Sequence, residues 1–194
     1  MNLITSFFLR AKHWQIFFLL FGVYIVGEVA AMSSLLATAG SPEDFGKGSL
    51  LFGVVMLPFM LGFLFWFWSM GSFLSSIVHP ALRMKMGFFR FALIYPALYV
   101  VAFIAAFQSS NPALLMVIFP FHLFAMFCLF YDLHFVSKNL VLAETSKSAA
   151  FYDYAGPFFL LWFFPVGIWI VQPRINRLYS EKKSAEPRVE SSPG

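Results

Sequence analysis

The sequence predicts an all-α membrane protein: four transmembrane helices followed by a C-terminal re-entrant or interfacial helical hairpin. Three observations carry this. The chain is 60% apolar and only 11% charged, against about 45–50% and about 25% in soluble domains. Four apolar runs are long enough to cross a bilayer, which takes about 20 residues each. A fifth apolar stretch is short and broken by proline and glycine. A soluble fold of this size could not hide so many apolar side chains, among them 28 phenylalanines.

The first run is Trp14 to Leu36, interrupted by Glu28. Arg10 and Lys12 precede it, and no small-residue cleavage motif follows, so the run is expected to remain as a helix rather than be removed as a signal peptide. The second run is Leu50 to Val78, the third Phe88 to Phe107 and the fourth Ala113 to Val136. Pro58, Pro96 and Pro120 lie inside the last three, where membrane helices tolerate proline at the cost of a kink. The connections are short: a polar loop over Thr38 to Ser49, a basic turn over His79 to Gly87, and a tight turn over Gln108 to Pro112, with Pro112 placed to open a helix. Lys138 to Tyr154 is mixed and begins as a continuation of the fourth helix. Residues 1–179 read as a single helical membrane domain, and residues 180–194 as a disordered polar tail.

The fifth stretch, Pro157 to Val171, contains Pro165 and Gly167. Charge decides its reading, because Lys and Arg gather on the cytoplasmic side. With the N-terminus cytoplasmic and four spans, twelve of the 13 basic residues are inside and only Lys47 is outside. A fifth span would leave seven inside and six outside. The expectation is therefore a hairpin turning at Phe164 to Gly167, with both termini cytoplasmic; five transmembrane helices is the alternative.

Three stretches, AKHWQIFFLLFG (11–22), FPFHLFAMFCLFYDLHFVSKNL (119–140) and FFLLWFFPVGIWIVQPRINRLY (158–179), together resemble an uncharacterised family of small bacterial multi-pass membrane proteins. The resemblance implies a helical bundle in a bacterial cytoplasmic (inner) membrane. It brings no activity and no catalytic residue.

Glu28 is the main anomaly in the spans. It lies about 14 residues into the first helix, roughly 21 Å from the cytoplasmic end at about 1.5 Å per residue. An ionised carboxylate there is costly and calls for a partner or a proton. His122 lies at similar depth in the fourth helix, so a Glu28–His122 contact is expected if those helices are neighbours, either as a proton or solute site or as a polar clamp. Small residues at Gly27 and Ala31, and at Ala30 and Ser34, suit close helix approach.

A second polar cluster is expected at the cytoplasmic ends. Ser69, Ser72, Ser76 and His79 share one face of the second helix. Tyr131, His134 and Lys138 share a face of the fourth, with Asp132 beside it, and His13 opens the first. Histidines on different helices can hold haem or a metal, but the spacing matches no ligand motif, so no cofactor is expected. Trp66 and Trp68 lie mid-helix, away from the interfacial belt, which points to burial in the bundle or beneath a partner. The single cysteine, Cys128, excludes an internal disulfide. No nucleophile-and-base motif or phosphate loop is present. The net charge of +4 follows from orientation and does not point to nucleic acid. These features favour a non-enzymatic accessory or scaffold subunit that packs in the bilayer against other membrane proteins or against copies of itself. The alternative is a small proton-coupled transporter or channel built on Glu28 and His122.

Overall fold

A computed structural model describes residues 3–38, 42–108 and 112–185. It is all-α, with no strand among the described residues. The helices are α1 (Leu3–Arg10), α2 (His13–Phe17), a π-helical segment (Phe18–Gly22), α3 (Val23–Thr38), α4 (Pro42–Ile77), α5 (Met86–Gln108), α6 (Pro112–Thr145), α7 (Phe151–Trp162) and α8 (Phe164–Ala185). Four segments are long and apolar enough to cross a membrane: His13–Ser33, Leu57–Ile77, Met86–Ala106 and Met116–Thr145.

Sequence patterning explains the first span. The Gln15 carboxamide oxygen accepts from the Lys12 backbone N–H at 2.8 Å and fixes the start of α2. The π segment then widens one turn, and Leu20, on this turn, is fully buried. A Cβ at Gly62 of α4 would come within 2.9 Å of the Leu20 side chain. Further along, Gly27 seats Val55: a Cβ at Gly27 would lie 2.4 Å from Val55 Cγ1. α3 and α4 thus pair closely, as α5 and α6 do.

The core sits at one end of the bundle. Trp66, Phe67, Met70, Phe73 and Leu74 of α4 meet Phe89 and Leu93 of α5 and Phe135, Val136 and Leu140 of α6. Gly71 leaves room for the Phe89 ring, which a Cβ would approach to 2.4 Å. Phe89 in turn stacks on Phe135 at 4.2 Å. Toward the other end, described side chains such as Val26, Val29, Leu98, Val101, Met116 and Phe119 are exposed. At most 39% of the residues in any span window are buried, so most of the span surface is left for lipid or for other helices.

The fifth stretch is a hairpin of two helices, α7 and α8, not one short span. The turn is at Phe163, one residue before the expected Phe164. Phe163 leaves helical geometry (φ −88°, ψ 55°), and its carbonyl accepts from the N–H groups of Val166 and Gly167 at 3.0 and 2.9 Å. α8 then folds back so tightly that a Cβ on Gly167 would stand 1.7 Å from the Leu160 carbonyl oxygen. α7 begins beside His134 and Lys138, with Tyr154 against both, and descends to Phe130, which Trp162 meets edge-on at 4.7 Å. α8 starts against Phe21, Phe59 and Phe63 and returns to Glu144 and Phe73. Both ends of the hairpin lie at the core end of the bundle.

Two expected boundaries move, at the start of α4 and at the end of α8. α4 starts at Pro42, so most of the expected Thr38 to Ser49 loop is helix; Pro42 suits the first helical position, and residues 39–41 lie outside the described part. The fourth helix continues past Val136, as expected, and reaches Thr145, with Leu140, Val141 and Leu142 buried in the core. It ends at Ser146, which takes a left-handed φ of 54° as a helix C-terminal residue does. α8 continues helical to Ala185, six residues into the expected disordered tail. Lys182 holds it there: its Nζ donates to Ser76 Oγ at 3.3 Å and lies over the Phe73 ring. Residues 186–194 are outside the described part. Finally, α1, a short helix ahead of the first span, buries Phe8 and Leu9 and exposes Leu3, Ile4 and Phe7.

Candidate functional site

Glu28 and His122 do not meet. α3 packs on α4 while α6 packs on α5, α7 and the core end of α4, so the two residues belong to different helical pairs. His122 Nδ1 is hydrogen-bonded to Tyr99 Oη at 3.1 Å across the α5–α6 pair. One turn along α5, Tyr95 Oη donates to the Phe121 carbonyl at 3.3 Å. His122 is exposed. Glu28 is half-buried, and its Oε1 is buried without a hydrogen-bond partner among the described residues. Of the small residues around it, Gly27 faces Val55 and Ala31 is buried; the Ser34 side chain lies outside the described part.

The expected cytoplasmic-end cluster is dispersed over several neighbours. The His13 ring packs on Trp169 of α8 at 4.6 Å. His79 Nδ1 accepts from the Ala81 N–H at 3.3 Å within its own turn. His134 meets Tyr154 of α7 edge-on at 5.2 Å, and Tyr131 meets Phe88 of α5 at 4.6 Å. The three histidines thus face three different surroundings, and among the described residues no three His, Cys, Asp or Glu side chains gather as a metal-binding group. Ser69 is fully buried and bonds the Phe65 carbonyl of its own helix. Ser72 Oγ is buried and has no hydrogen-bond partner among the described residues. Ser76 is exposed; it bonds the Phe73 carbonyl and receives Lys182.

Asp132 is the most unusual member. It is 2% exposed, and neither carboxyl oxygen has a hydrogen-bond partner among the described residues. Buried carboxylates are normally paired or hydrogen-bonded, because desolvation of an isolated charge is very costly. Asp132 lines a cavity of about 170 Å³ between α4, α6 and the α7–α8 hairpin.

Two polar joints were not legible beforehand. Gln172 of α8 is fully buried. Its Oε1 accepts from Trp66 Nε1 at 2.8 Å, and its Nε2 donates to the carbonyls of Phe8 and Ala11 at 2.8 and 3.2 Å. Asn176, one turn on, donates to the Ala11 carbonyl at 3.1 Å. This joint satisfies the indole N–H of the buried Trp66, the Phe8 carbonyl in the last turn of α1 and the Ala11 carbonyl just beyond it. A mid-helix tryptophan far from the interface was the available signal, since a buried indole N–H needs an acceptor. Trp68 is half-buried under Arg90, whose guanidinium lies 5.6 Å from the ring centroid.

The second joint is Glu144. Arg174 Nε donates to Glu144 Oε1 at 2.9 Å, Arg174 Nη2 also donates to Oε2, and Arg177 Nη2 donates to Oε1 at 3.3 Å. A two-pronged arginine fork on a mostly buried carboxylate is among the stronger polar contacts. Glu144→Gln should therefore destabilise the docking of α8 by about 1–3 kcal/mol. Limited proteolysis should then cut α8 faster while leaving the four spans intact; equal cutting in both proteins would show that the fork contributes nothing. Comparison of the chain with models of known families, with curated proteins and with solved structures finds no match in any of the three.

Proposed function

We propose that this chain is a non-enzymatic accessory or scaffold subunit of a bacterial cytoplasmic membrane, with both termini cytoplasmic, that packs laterally against other membrane proteins or against further copies of itself. One observation carries the reading. His122 and its partner Tyr99 stand at an exposed surface of the α5–α6 pair. His122 lies ten residues into α6, about 15 Å along the helix at about 1.5 Å per residue, and so within the hydrocarbon. A polar pair left to lipid there is costly, and covering it with a neighbouring helix removes that cost. The apolar side chains around it, including Phe119, Phe121 and Leu123, suit either lipid or a helix. The carrier alternative lacks such support, since no hydrogen bond or ion pair joins Glu28 to His122.

The test is the size of the assembly. Extracted from its native membrane in a mild detergent, the chain should migrate as a stoichiometric complex, with itself or with defined membrane subunits. His122→Leu should shift it toward the monomer without lowering its thermal stability by more than about 1 kcal/mol, the scale of one such bond. A wild-type monomer across mild detergents, or proton flux in liposomes that His122→Leu abolishes, would overturn the reading.

A further inference from the structure

We propose that the cavity between α4, α6 and the α7–α8 hairpin is a binding site for a small organic ammonium ion. Asp132 supplies the counter-charge and the surrounding aromatic rings supply the cage. The cavity is lined by Phe63 and Phe67 of α4, Phe130 of α6, Trp162 of α7 and Phe164 of α8, with Asp132 as its one ionisable group. Both carboxyl oxygens lie just behind the cavity wall, with almost no accessible surface and no hydrogen-bond partner among the described residues, so one uncompensated acidic group stands against an apolar, π-rich cavity. That combination selects the occupant. A hard divalent metal needs about six oxygen ligands, and a single carboxylate cannot provide them. An alkylammonium ion needs one negative charge and ring faces within about 6 Å, which is how quaternary ammonium groups are recognised. The volume of about 170 Å³ limits the guest to a small one.

The mouth supports the same chemistry. Met126 and Trp162, at the edge of the cavity, are exposed on the outer surface of the helices. A guest therefore enters past apolar side chains, which favours an ion with hydrocarbon substituents over an inorganic one. Cys128, one turn before Asp132 on α6 and also fully buried, adds a weakly polar neighbour and no charge. The hairpin is part of the site, since Leu161, Trp162 and Phe164 flank the turn at Phe163. An ion bound here would tie α7 and α8 to α4 and α6. This inference is independent of the lateral packing proposed above.

The experiment uses the full chain in an uncharged detergent. Tetramethylammonium and n-butylammonium are titrated at constant ionic strength, with tert-butanol as the uncharged control, and bound ligand is read by calorimetry. Saturable binding of an ammonium ion, with none of tert-butanol, is the expected result. Asp132→Asn should abolish it, and Trp162→Ala should weaken it by about tenfold. Trp162 is half exposed, so its replacement disturbs packing less than that of a buried lining ring, and the variant, once shown folded by circular dichroism, decides the matter even if Asp132→Asn fails to fold. Absence of binding, which would mean that a proton alone neutralises Asp132, overturns the proposal. So does binding that is unchanged in the folded variants, which would mean partition into the micelle.

Discussion

Gly167→Ala should prevent the C-terminal hairpin from closing. The methyl group would stand 1.7 Å from the Leu160 carbonyl oxygen and 2.4 Å from its carbon. Both are backbone atoms at the turn itself, so no side-chain rotation relieves the clash. The helices must separate, and Ile168, Val171 and Ile175, all fully buried, then lose part of their packing. Removing one such side chain from a core costs about 2–5 kcal/mol, and the hairpin holds several. The expected result is a chain whose four spans still insert but whose residues 151–185 exchange their amide hydrogens rapidly. Hydrogen exchange resolved by peptide measures this. Wild-type protection across α7 and α8 in the variant would show that the approach of the two helices is looser than the geometry states.

The second large effect belongs to Gln172. Gln172→Leu keeps the size of the side chain and removes its donor and acceptor together. Trp66 Nε1, fully buried, then loses the acceptor at 2.8 Å, and the Phe8 carbonyl loses its donor at 2.8 Å. Each buried group left unsatisfied costs about 1–3 kcal/mol. Two groups on two elements are affected, α4 and α1, so the loss should exceed that from Glu144→Gln. The check is thermal unfolding in detergent, together with Trp66→Phe. That second variant removes the indole N–H, so the double variant should be less unstable than the sum of the single ones. Strict additivity would contradict a direct Trp66–Gln172 bond.

These effects show what was readable from the residues. The four spans were legible because a bilayer sets a length and a composition that few other structures meet. The hairpin was legible because Pro165 and Gly167 interrupt a stretch too short to cross, and because twelve basic residues then fall on one side. The helical start of α4 from Pro42 was not legible. Its polar residues read as loop, although a helix extending beyond the apolar layer needs no apolar residues there. α1 went unread because eight residues give too little periodicity to separate from the span that follows. The Glu28–His122 contact was expected on depth alone. Depth fixes the level of a residue and says nothing about which helix is its neighbour. Neighbours are chosen by surface fit, here Gly27 against Val55 and Gly71 against Phe89, and such pairings have no signature in one sequence. Asp132 was grouped with interfacial residues for the same reason: its burial comes from the hairpin folding over it, a tertiary event. Trp66 was legible in part: its position away from the interface pointed to burial, and the structure adds Gln172 as the acceptor of its N–H.

Four spans, not five, cross the membrane only if the hairpin returns to the side from which it left. Reporter fusions at Ser49, Lys147 and Ser192 test this most directly, because each reports the side of the membrane on which it lies. The expected readings are outside, inside and inside. An outside reading at Ser192, with Lys147 inside, would establish a fifth crossing and contradict the four-span topology.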